Sequence, residues 1–386
     1  MIKGSIKAVA AATLFAASAQ AALAQDQGVT DTEIILGEVE PLSGPPGLLG
    51  IAHNIGVRLA LEEKNAQGGI AGRKLRLIAE DDGYVSSRTI QALRKLISVD
   101  KVFALTALSG SGQAIASVPV VEQAGIPTMV PIGPVPPLYN PPRENVFVIG
   151  QSYDEGMKQL ALFLAERFPD KKWGLVTQDD DYGVALREGL AEAKKERDFN
   201  VVFETIYKRG QTDFSSEILR AKDAEVDVLI AGGIISENVA MVKELEKLGI
   251  KPEVGIFWPG RVPVVLKLIG PASDDIYAVD YVVPFDSPQG KTFVEMAKTY
   301  LNEDELSKMN RYTMTGYAST RVLLAAIESC ADDLTWDCTN AALAKTKDLD
   351  VGVMAPISFK DGSTFSNQPV QIMQADYDAL SFKPVN

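Results

Sequence analysis

The chain has 386 residues, 46% of them hydrophobic, which is enough to bury a large core divided between two domains. Aspartate and glutamate outnumber lysine and arginine by 51 to 38, so the net charge is −13 at pH 7. This negative balance excludes nucleic acid as an expected partner, because the phosphate backbone is bound by cationic side chains.

Residues 1–24 are predicted to be a secretory signal peptide that is cleaved from the mature chain. Lys3 and Lys7 give a positive start, the apolar stretch AVAAATLFAASA follows, and ALA at 22–24 fits the small-x-small cleavage rule. No later stretch approaches 18 continuous apolar residues, so a soluble protein is expected. The predicted location is the periplasm.

Short β-branched runs alternate with amphipathic helical patterns along the rest of the chain. The runs that read as strands are, in order, TEIILGEV, KLRLIAED, KVFALTAL, IPTMVPIG, KWGLVTQ, NVVFETIYK, VDVLIAGG and PEVGIFW. Strict alternation predicts parallel, doubly wound α/β sheets, and there are too many units for one ordinary sheet. We therefore expect two Rossmann-like lobes, with the chain crossing between them near residues 150, 282 and 357. Lobe 1 would comprise 25–150 plus 283–357, and lobe 2 would comprise 151–282 plus 358–386.

The only two cysteines of the sequence, Cys330 and Cys338, lie in the segment ESCADDLTWDC. In an oxidising compartment this spacing favours a small disulfide loop. Its expected role is a local staple rather than chemistry.

Enzymatic and metal sites find little support in the sequence. His53 is the only histidine, no G-x-S-x-G motif surrounds Ser111, and no phosphate-binding GxxxxGK[ST] loop occurs. The QDDDYG segment lacks the spacing and terminal glutamate of a calcium loop. We expect no catalytic residues, no cofactor and no metal.

Ser111 is instead interpreted as part of a carboxylate-binding site. It follows a predicted strand and begins a predicted helix, and ligands of open α/β sheets bind at that edge. Unpaired N–H groups at a helix start attract an anion, and the flanking Gly110 and Gly112 allow a close backbone approach. The alternative is that these residues only cap the helix. Ile132 and Gly133 occupy the equivalent edge after the next strand.

Five motifs in order resemble those of the type I periplasmic solute-binding proteins, and most closely the leucine/isoleucine/valine-binding family of ABC importers. They are EPLSGPPGLLG, GGIAGRKLRLIAEDD, KLISVDKVFALTALSGSGQAIASVPVVEQAGIPTMVP, DDDYG and TDFSSEILRAK. The resemblance implies two lobes that are joined by three crossings and close on a ligand by hinge motion. It also implies that Ser111 holds the ligand carboxylate and that Tyr182 packs across the ligand from the second lobe. A membrane permease of an ABC importer is the implied partner.

The sequence also departs from this family where amino-acid binders hold the ligand ammonium. The segment FWPGRVP carries Trp258 and Arg261 where an acid is usual, and Ile234, Ile235 and Leu49 replace polar or aromatic contacts. An arginine repels an ammonium group and attracts an anion or a carbonyl. This pattern favours an apolar or aromatic carboxylate, or a dicarboxylate whose second anion pairs with the arginine.

Other interpretations remain open at this point. A branched-chain or other amino acid is the alternative ligand, with Glu237 as the acid that pairs with the ammonium. His53 and Tyr153 are further ligand contacts if they face the cleft, although a packing role for the histidine and a hinge role for the tyrosine compete. A ligand-sensing receptor domain is the alternative class of function. A monomer is expected.

Overall fold

A computed structural model describes residues 27–108 and 110–385. The predicted signal peptide at 1–24 lies outside the described residues. The chain forms two α/β lobes, each built on a largely parallel sheet, as the strand–helix alternation predicts.

Lobe 1 contains a six-stranded sheet with the strand order β11-β5-β4-β3-β1-β2. All its strand pairs are parallel. Its strands are β1 (Glu33–Glu40), β2 (Lys74–Asp81), β3 (Ala104–Leu108), β4 (Thr128–Val130), β5 (Val146–Gly150) and β11 (Phe365–Asn367). Its helices are α1 (Gly47–Ala66), α2 (Ser86–Ser98), α3 (Ser111–Ala124), α9 (Pro288–Ala297), α10 (Glu303–Lys308), α11 (Arg311–Ser329) and α12 (Trp336–Ala344).

Lobe 2 contains a seven-stranded sheet with the order β13-β12-β10-β9-β8-β6-β7. Only the pairings of β12 with β10 and with β13 are antiparallel. Its strands are β6 (Lys172–Gln178), β7 (Asn200–Tyr207), β8 (Val228–Gly232), β9 (Glu253–Phe257), β10 (Ile276–Asp280), β12 (Gln371–Asp376) and β13 (Ser381–Pro384). Its helices are α4 (Tyr153–Arg167), α5 (Asp181–Glu196), α6 (Ser215–Asp223), α7 (Ser236–Lys247) and α8 (Pro263–Ile269).

The chain passes between the lobes after β5, after β10 and after β11. The third passage differs from the sequence-based boundary at 357, because β11 pairs in parallel with β5 and extends lobe 1 to residue 367. The segment 358–367 thus lies with lobe 1 instead of lobe 2. The sequence gives no sign of this pairing, since a three-residue edge strand carries no periodic pattern of its own.

Helices α1 and α11 pack backbone against backbone in lobe 1. A Cβ at Gly56 would lie 2.0 Å from the Thr313 carbonyl oxygen, and one at Gly316 would lie 2.3 Å from the His53 carbonyl oxygen. Glycine at both positions permits this approach. The contact fixes the start of α11 at the edge of lobe 1 that faces lobe 2.

The two cysteines form a disulfide between the end of α11 and α12. Cys330 and Cys338 are joined with a Cα–Cα distance of 6.0 Å. The Thr335 hydroxyl accepts a hydrogen bond from the Cys338 N–H at 3.3 Å and so caps α12. The bridge closes the turn between α11 and α12 in lobe 1, and its Cys330 end is buried.

Glu38 is a fully buried acid on β1. Asn54 of α1 donates a hydrogen bond to its Oε1, while its Oε2 has no hydrogen-bond partner among the described residues. Burial raises the pKa of Glu38 to about 7, and the Asn54 hydrogen bond and the Arg58 charge offset only part of that effect. The carboxyl group therefore keeps its proton in the folded state at pH values where an exposed glutamate has lost it.

Replacing Glu38 by Gln should stabilise the protein more at high pH than at low pH. A raised pKa in the folded state means that stability falls as pH rises from about 4.5 to 7, and Glu38→Gln removes this loss. We expect the gain in free energy of unfolding to be about 3 kcal/mol larger at pH 8 than at pH 4.5. Urea unfolding at the two pH values measures it, with Glu33→Gln on the same strand as the control. An equal gain at both pH values would contradict the assignment.

Candidate ligand-binding site

The loop after β3 meets the loop after β4 where the sequence predicts a carboxylate site. Gly110 precedes α3 with a φ of 83°, and Ser111 is the first residue of that helix. The Ser111 hydroxyl donates to the Gly133 carbonyl oxygen at 3.1 Å. A Cβ at Gly133 would lie 2.7 Å from the Ser111 nitrogen, so glycine allows the two loops to touch. Ile132 is buried beside them, and the first N–H groups of α3 lack partners within the helix.

Two residues that the sequence analysis missed lie against this helix start. Gln113 is fully buried, and neither its amide nitrogen nor its amide oxygen has a hydrogen-bond partner in the described part of the chain. A Cβ at Gly110 would lie 2.5 Å from Gln113 Oε1 and 2.8 Å from a ring carbon of Tyr84. Two features of the sequence could have identified them: Gln113 lies in the first turn of α3, and Tyr84 lies just after β2.

Lobe 2 opposes this edge with a continuous row of aromatic rings. Tyr153 stacks on Trp258 with ring centroids 4.6 Å apart, and meets Tyr182 edge to face at 4.5 Å. Trp258 in turn contacts the edge of Tyr281 at 5.3 Å. The Tyr182 hydroxyl donates to the Gly233 carbonyl oxygen at 3.3 Å. The structure thus brings together Tyr153, Tyr182 and Trp258, and adds Tyr281, which the sequence analysis did not single out.

The remaining apolar residues that the sequence analysis named are almost completely buried. Ile234 and Ile235 follow β8 and are 6% and 4% exposed, and Leu49 lies in the first turn of α1 within the lobe core. Gly112 lies at the interface between lobes, where a Cβ would be 3.1 Å from Asp181 Oδ2.

Arg261 does not extend a free guanidinium toward a ligand as expected. Its Nε pairs with Asp280, and its Nη2 donates to the Val282 carbonyl oxygen at 3.3 Å. Arg311 binds the same carboxylate through Nε at 2.7 Å and Nη2 at 2.9 Å. Burial opposes ionisation of Asp280, but the two guanidinium charges outweigh it and lower its pKa. The hypothesis that Arg261 takes a second anion is therefore not supported, because the protein supplies that anion itself.

His53 is enclosed between β1, α1 and α11. Its Nδ1 lies 3.3 Å from Glu40 Oε1, and both side chains are fully buried. Burial, and then the charge of Arg311, lower the pKa of His53 to about 3, so the imidazole is neutral at physiological pH. This geometry favours a packing role rather than the predicted ligand contact.

The two lobes contact each other at the rim of the cleft. Arg209 of lobe 2 donates from Nη1 to the Tyr84 carbonyl oxygen of lobe 1 at 3.2 Å, and its Cζ lies 4.3 Å from the Tyr84 ring centroid. Within lobe 2, Asp180 accepts from Arg209 Nη2 at 2.5 Å and holds the guanidinium in place. These contacts describe a closed cleft.

One acid, Glu237, lies near the same rim. It is 7% exposed in the first turn of α7. Burial raises the pKa of Tyr207 well above its usual value, and the charge of Glu237 raises it further. The Tyr207 hydroxyl donates to the Gly232 carbonyl oxygen at 3.2 Å. A negative charge therefore acts on the lobe 2 side of the cleft.

Within residues 27–108 and 110–385, no group of three or more His, Cys, Asp or Glu side chains is placed to hold a metal ion. Over the same residues, none of the helices has the length and apolar character needed to cross a membrane.

Comparison with known proteins agrees with this architecture. A family model described as "Periplasmic binding protein" matches residues 33–379. "Leu/Ile/Val-binding protein homolog 7" of Brucella abortus (strain 2308) is 29% identical over 324 residues, which is 80% of each chain.

Two solved structures share the fold. A branched-chain amino acid ABC transporter protein from Thermus thermophilus with bound valine superposes with a TM-score of 0.83 at 17% identity, covering 93% of this chain and 96% of that one. A solute-binding protein from R. palustris in complex with 4-hydroxybenzoate gives a TM-score of 0.80 at 18% identity, covering 92% of this chain and 96% of that one.

These relatives are substrate-binding proteins rather than enzymes. The match to the family model over most of the chain, together with the two-lobed fold, shows that this chain belongs to the periplasmic binding protein family, whose members bind small molecules and work with ABC transporter permeases.

Proposed function

We propose that the protein captures a small apolar or aromatic carboxylate between its two lobes and delivers it to an ABC importer. The single observation that carries this proposal is a polar helix start in lobe 1 together with a row of aromatic rings in lobe 2. Ser111 and the buried Gln113 amide stand at the start of α3. The rings of Tyr153, Tyr182 and Trp258 form one row in lobe 2, and the Tyr153 N–H donates to the carbonyl oxygen of Pro134, the residue after Gly133, at 3.3 Å.

The chemistry of the two sides supports an amphipathic ligand. The free N–H groups of a helix start and a buried amide donate hydrogen bonds to a carboxylate, and the Ser111 hydroxyl would join them by rotating away from the Gly133 carbonyl oxygen. Aromatic side chains give apolar area and rigid shape to the opposite side. Delivery would follow from closure, because the closed form is the one in which both lobes contact the ligand.

A branched-chain amino acid is the second candidate, and Glu237 is the observation that favours it. Its charge adds to the rise that burial causes in the pKa of Tyr84 in lobe 1 and of Tyr207 in lobe 2, which supports a position near the cleft. The charge of Arg209 acts on Tyr207 in the opposite direction, so the negative field on this side of the cleft is partly offset, which weakens the argument.

Matched ligand pairs distinguish the two candidates. 3-Phenylpropanoate and phenylalanine differ only in the ammonium group, as do 4-methylpentanoate and leucine. We expect calorimetry to find that the acids bind at least about tenfold more tightly than their amino-acid partners, since a charged group without a partner must be desolvated. Tighter binding of leucine or phenylalanine would replace the carboxylate proposal with the amino-acid one.

Ser111→Ala should weaken carboxylate binding roughly tenfold, because one hydrogen bond to a charged group is lost. Ser117→Ala is the matched control. It removes another buried serine of α3, further along the helix, whose hydroxyl donates to the backbone carbonyl oxygen of Gln113 at 2.8 Å. Calorimetric Kd values measure both variants. Equal weakening by the two substitutions would mean that the serine only stabilises the helix.

Arg209→Gln should raise the ligand Kd roughly threefold to tenfold, because it removes a hydrogen bond and a cation–π contact that exist only when the lobes are closed. The control is Arg220→Gln, which removes a hydrogen bond to Thr205 and a ring contact with Phe203 within lobe 2 alone. We expect Arg220→Gln to leave the Kd unchanged. If it weakens binding as much as Arg209→Gln, the rim contact has no special part in closure.

A further inference from the structure

The start of α11 carries polar atoms whose hydrogen-bonding capacity the protein does not use. Arg311 is 1% exposed and binds Asp280 through Nε and Nη2. Its third nitrogen, Nη1, forms no hydrogen bond of ordinary geometry in the described part of the chain. A guanidinium has five N–H donors, so this side chain retains donors beyond those that anchor it.

Tyr312, the next residue, has the same property. It is also 1% exposed, and its hydroxyl has no hydrogen-bond partner among residues 27–108 and 110–385. The Arg311 Cζ lies 4.7 Å from the Tyr312 ring centroid and 4.9 Å from that of Tyr281. Burial raises the pKa of Tyr281, and the charge of Arg311 offsets part of that rise. The ring distances show that the three side chains form one cluster.

Ring contacts connect this cluster to the aromatic row of lobe 2, because Tyr281, 4.9 Å from the Arg311 Cζ, meets the edge of Trp258 at 5.3 Å. Electrostatic coupling agrees with this position. Burial raises the pKa of Tyr182 in lobe 2, and the Tyr312 hydroxyl adds to that rise. Tyr84 of lobe 1 acts in the same way on Tyr312. Tyr312 therefore lies within electrostatic range of tyrosines from both sides of the cleft.

The charges of the cluster favour a ligand group that accepts hydrogen bonds. Arg261 and Arg311 contribute two positive charges, and the Asp280 carboxylate that they share contributes one negative charge. Burying a guanidinium together with an unpaired hydroxyl is costly unless a hydrogen-bond acceptor approaches them. The neighbouring His53 is neutral and adds no charge of its own.

We propose that Arg311 Nη1 and the Tyr312 hydroxyl form a second polar subsite, which binds an acceptor oxygen at the end of the ligand opposite its carboxylate. The inference rests on the proposed function and narrows its substrate class. The ligands are acids with an apolar or aromatic body and a second oxygen, such as a phenolic hydroxyl, a carbonyl or a second carboxylate.

Tyr312→Phe tests the subsite because it removes only the hydroxyl and keeps the ring beside Arg311. Tyr277→Phe is the matched control, since Tyr277 on β10 of lobe 2 is another buried tyrosine whose hydroxyl interacts with an arginine, accepting from Arg167 Nε at 3.0 Å. The probes are benzoates substituted at position 4: 4-hydroxybenzoate and benzene-1,4-dicarboxylate carry the second oxygen, and 4-methylbenzoate matches the former in size without it.

We expect the wild-type protein to bind at least one of the two oxygen-bearing acids about tenfold more tightly than 4-methylbenzoate. Tyr312→Phe should reduce this preference about three- to tenfold while 4-methylbenzoate binding stays the same or improves. Tyr277→Phe should leave the preference intact. A merely structural tyrosine would change the affinity of all three acids alike.

The other results are distinguishable. The second subsite is overturned, and the carboxylate function stands, if the acids bind but 4-methylbenzoate binds as tightly as the two oxygen-bearing acids. The same conclusion follows if Tyr312→Phe leaves the preference for the oxygen-bearing acids unchanged. If none of the three benzoates binds but 3-phenylpropanoate or 4-methylpentanoate does, the subsite fails and the carboxylate function stands. If none of these acids binds, the proposed function fails and the subsite fails with it.

Discussion

The parallel arrangement of the strands is the constraint on which the binding site depends. Parallel strands direct their carboxyl ends to one edge of a sheet, so residues far apart in sequence meet there. Lobe 1 places Tyr84 after β2, Ser111 after β3 and Gly133 after β4. Lobe 2 places Tyr182 after β6 and Trp258 after β9. Because the chain crosses between the sheets three times, the two edges are held facing each other across one cleft.

The buried carboxylate of Asp280 adds a second constraint, at the side of the cleft where the chain leaves β10. It accepts from Arg261 of lobe 2 and from Arg311 of lobe 1, and its other hydrogen bonds come from the backbone N–H groups of Tyr281 and Val282. An ion bridge of this kind is expensive to desolvate, and its geometry fixes its members. It therefore locates the start of α11 relative to lobe 2 close to the crossing that follows β10.

The sequence predicted the fold and part of the site for clear physical reasons. Alternating strand and helix patterns specify parallel sheets, and a glycine-flanked serine after a strand identifies the edge where Ser111 lies. The row of aromatic rings combines Tyr153, Tyr182 and Trp258, each of which the sequence analysis singled out separately.

The role of Arg261 was not predictable in this way. Its partner Asp280 lies 19 residues away, and Arg311 lies 31 residues beyond that acid, so no local pattern links the three. Gln113 and Tyr312 were missed for a related reason. An amide or a phenol is ordinary in a sequence, and becomes informative only when the fold buries it without a partner.

The distribution of charge across the cleft also separates the two classes of ligand. On the rim side, the negative charges of Asp180 and Glu237 and the positive charge of Arg209 all act on the Tyr207 hydroxyl, and the arginine offsets part of the negative field there. On the side of α11, two guanidinium groups share one carboxylate and leave a positive balance. Asp180 is paired with Arg209, and Asp280 with Arg261 and Arg311, so a zwitterionic amino acid would depend on Glu237 for its ammonium group. The proposed ligand, an acid with a second oxygen, would instead accept hydrogen bonds from the start of α3 and from the start of α11 in lobe 1, with its apolar body against the aromatic rings of lobe 2.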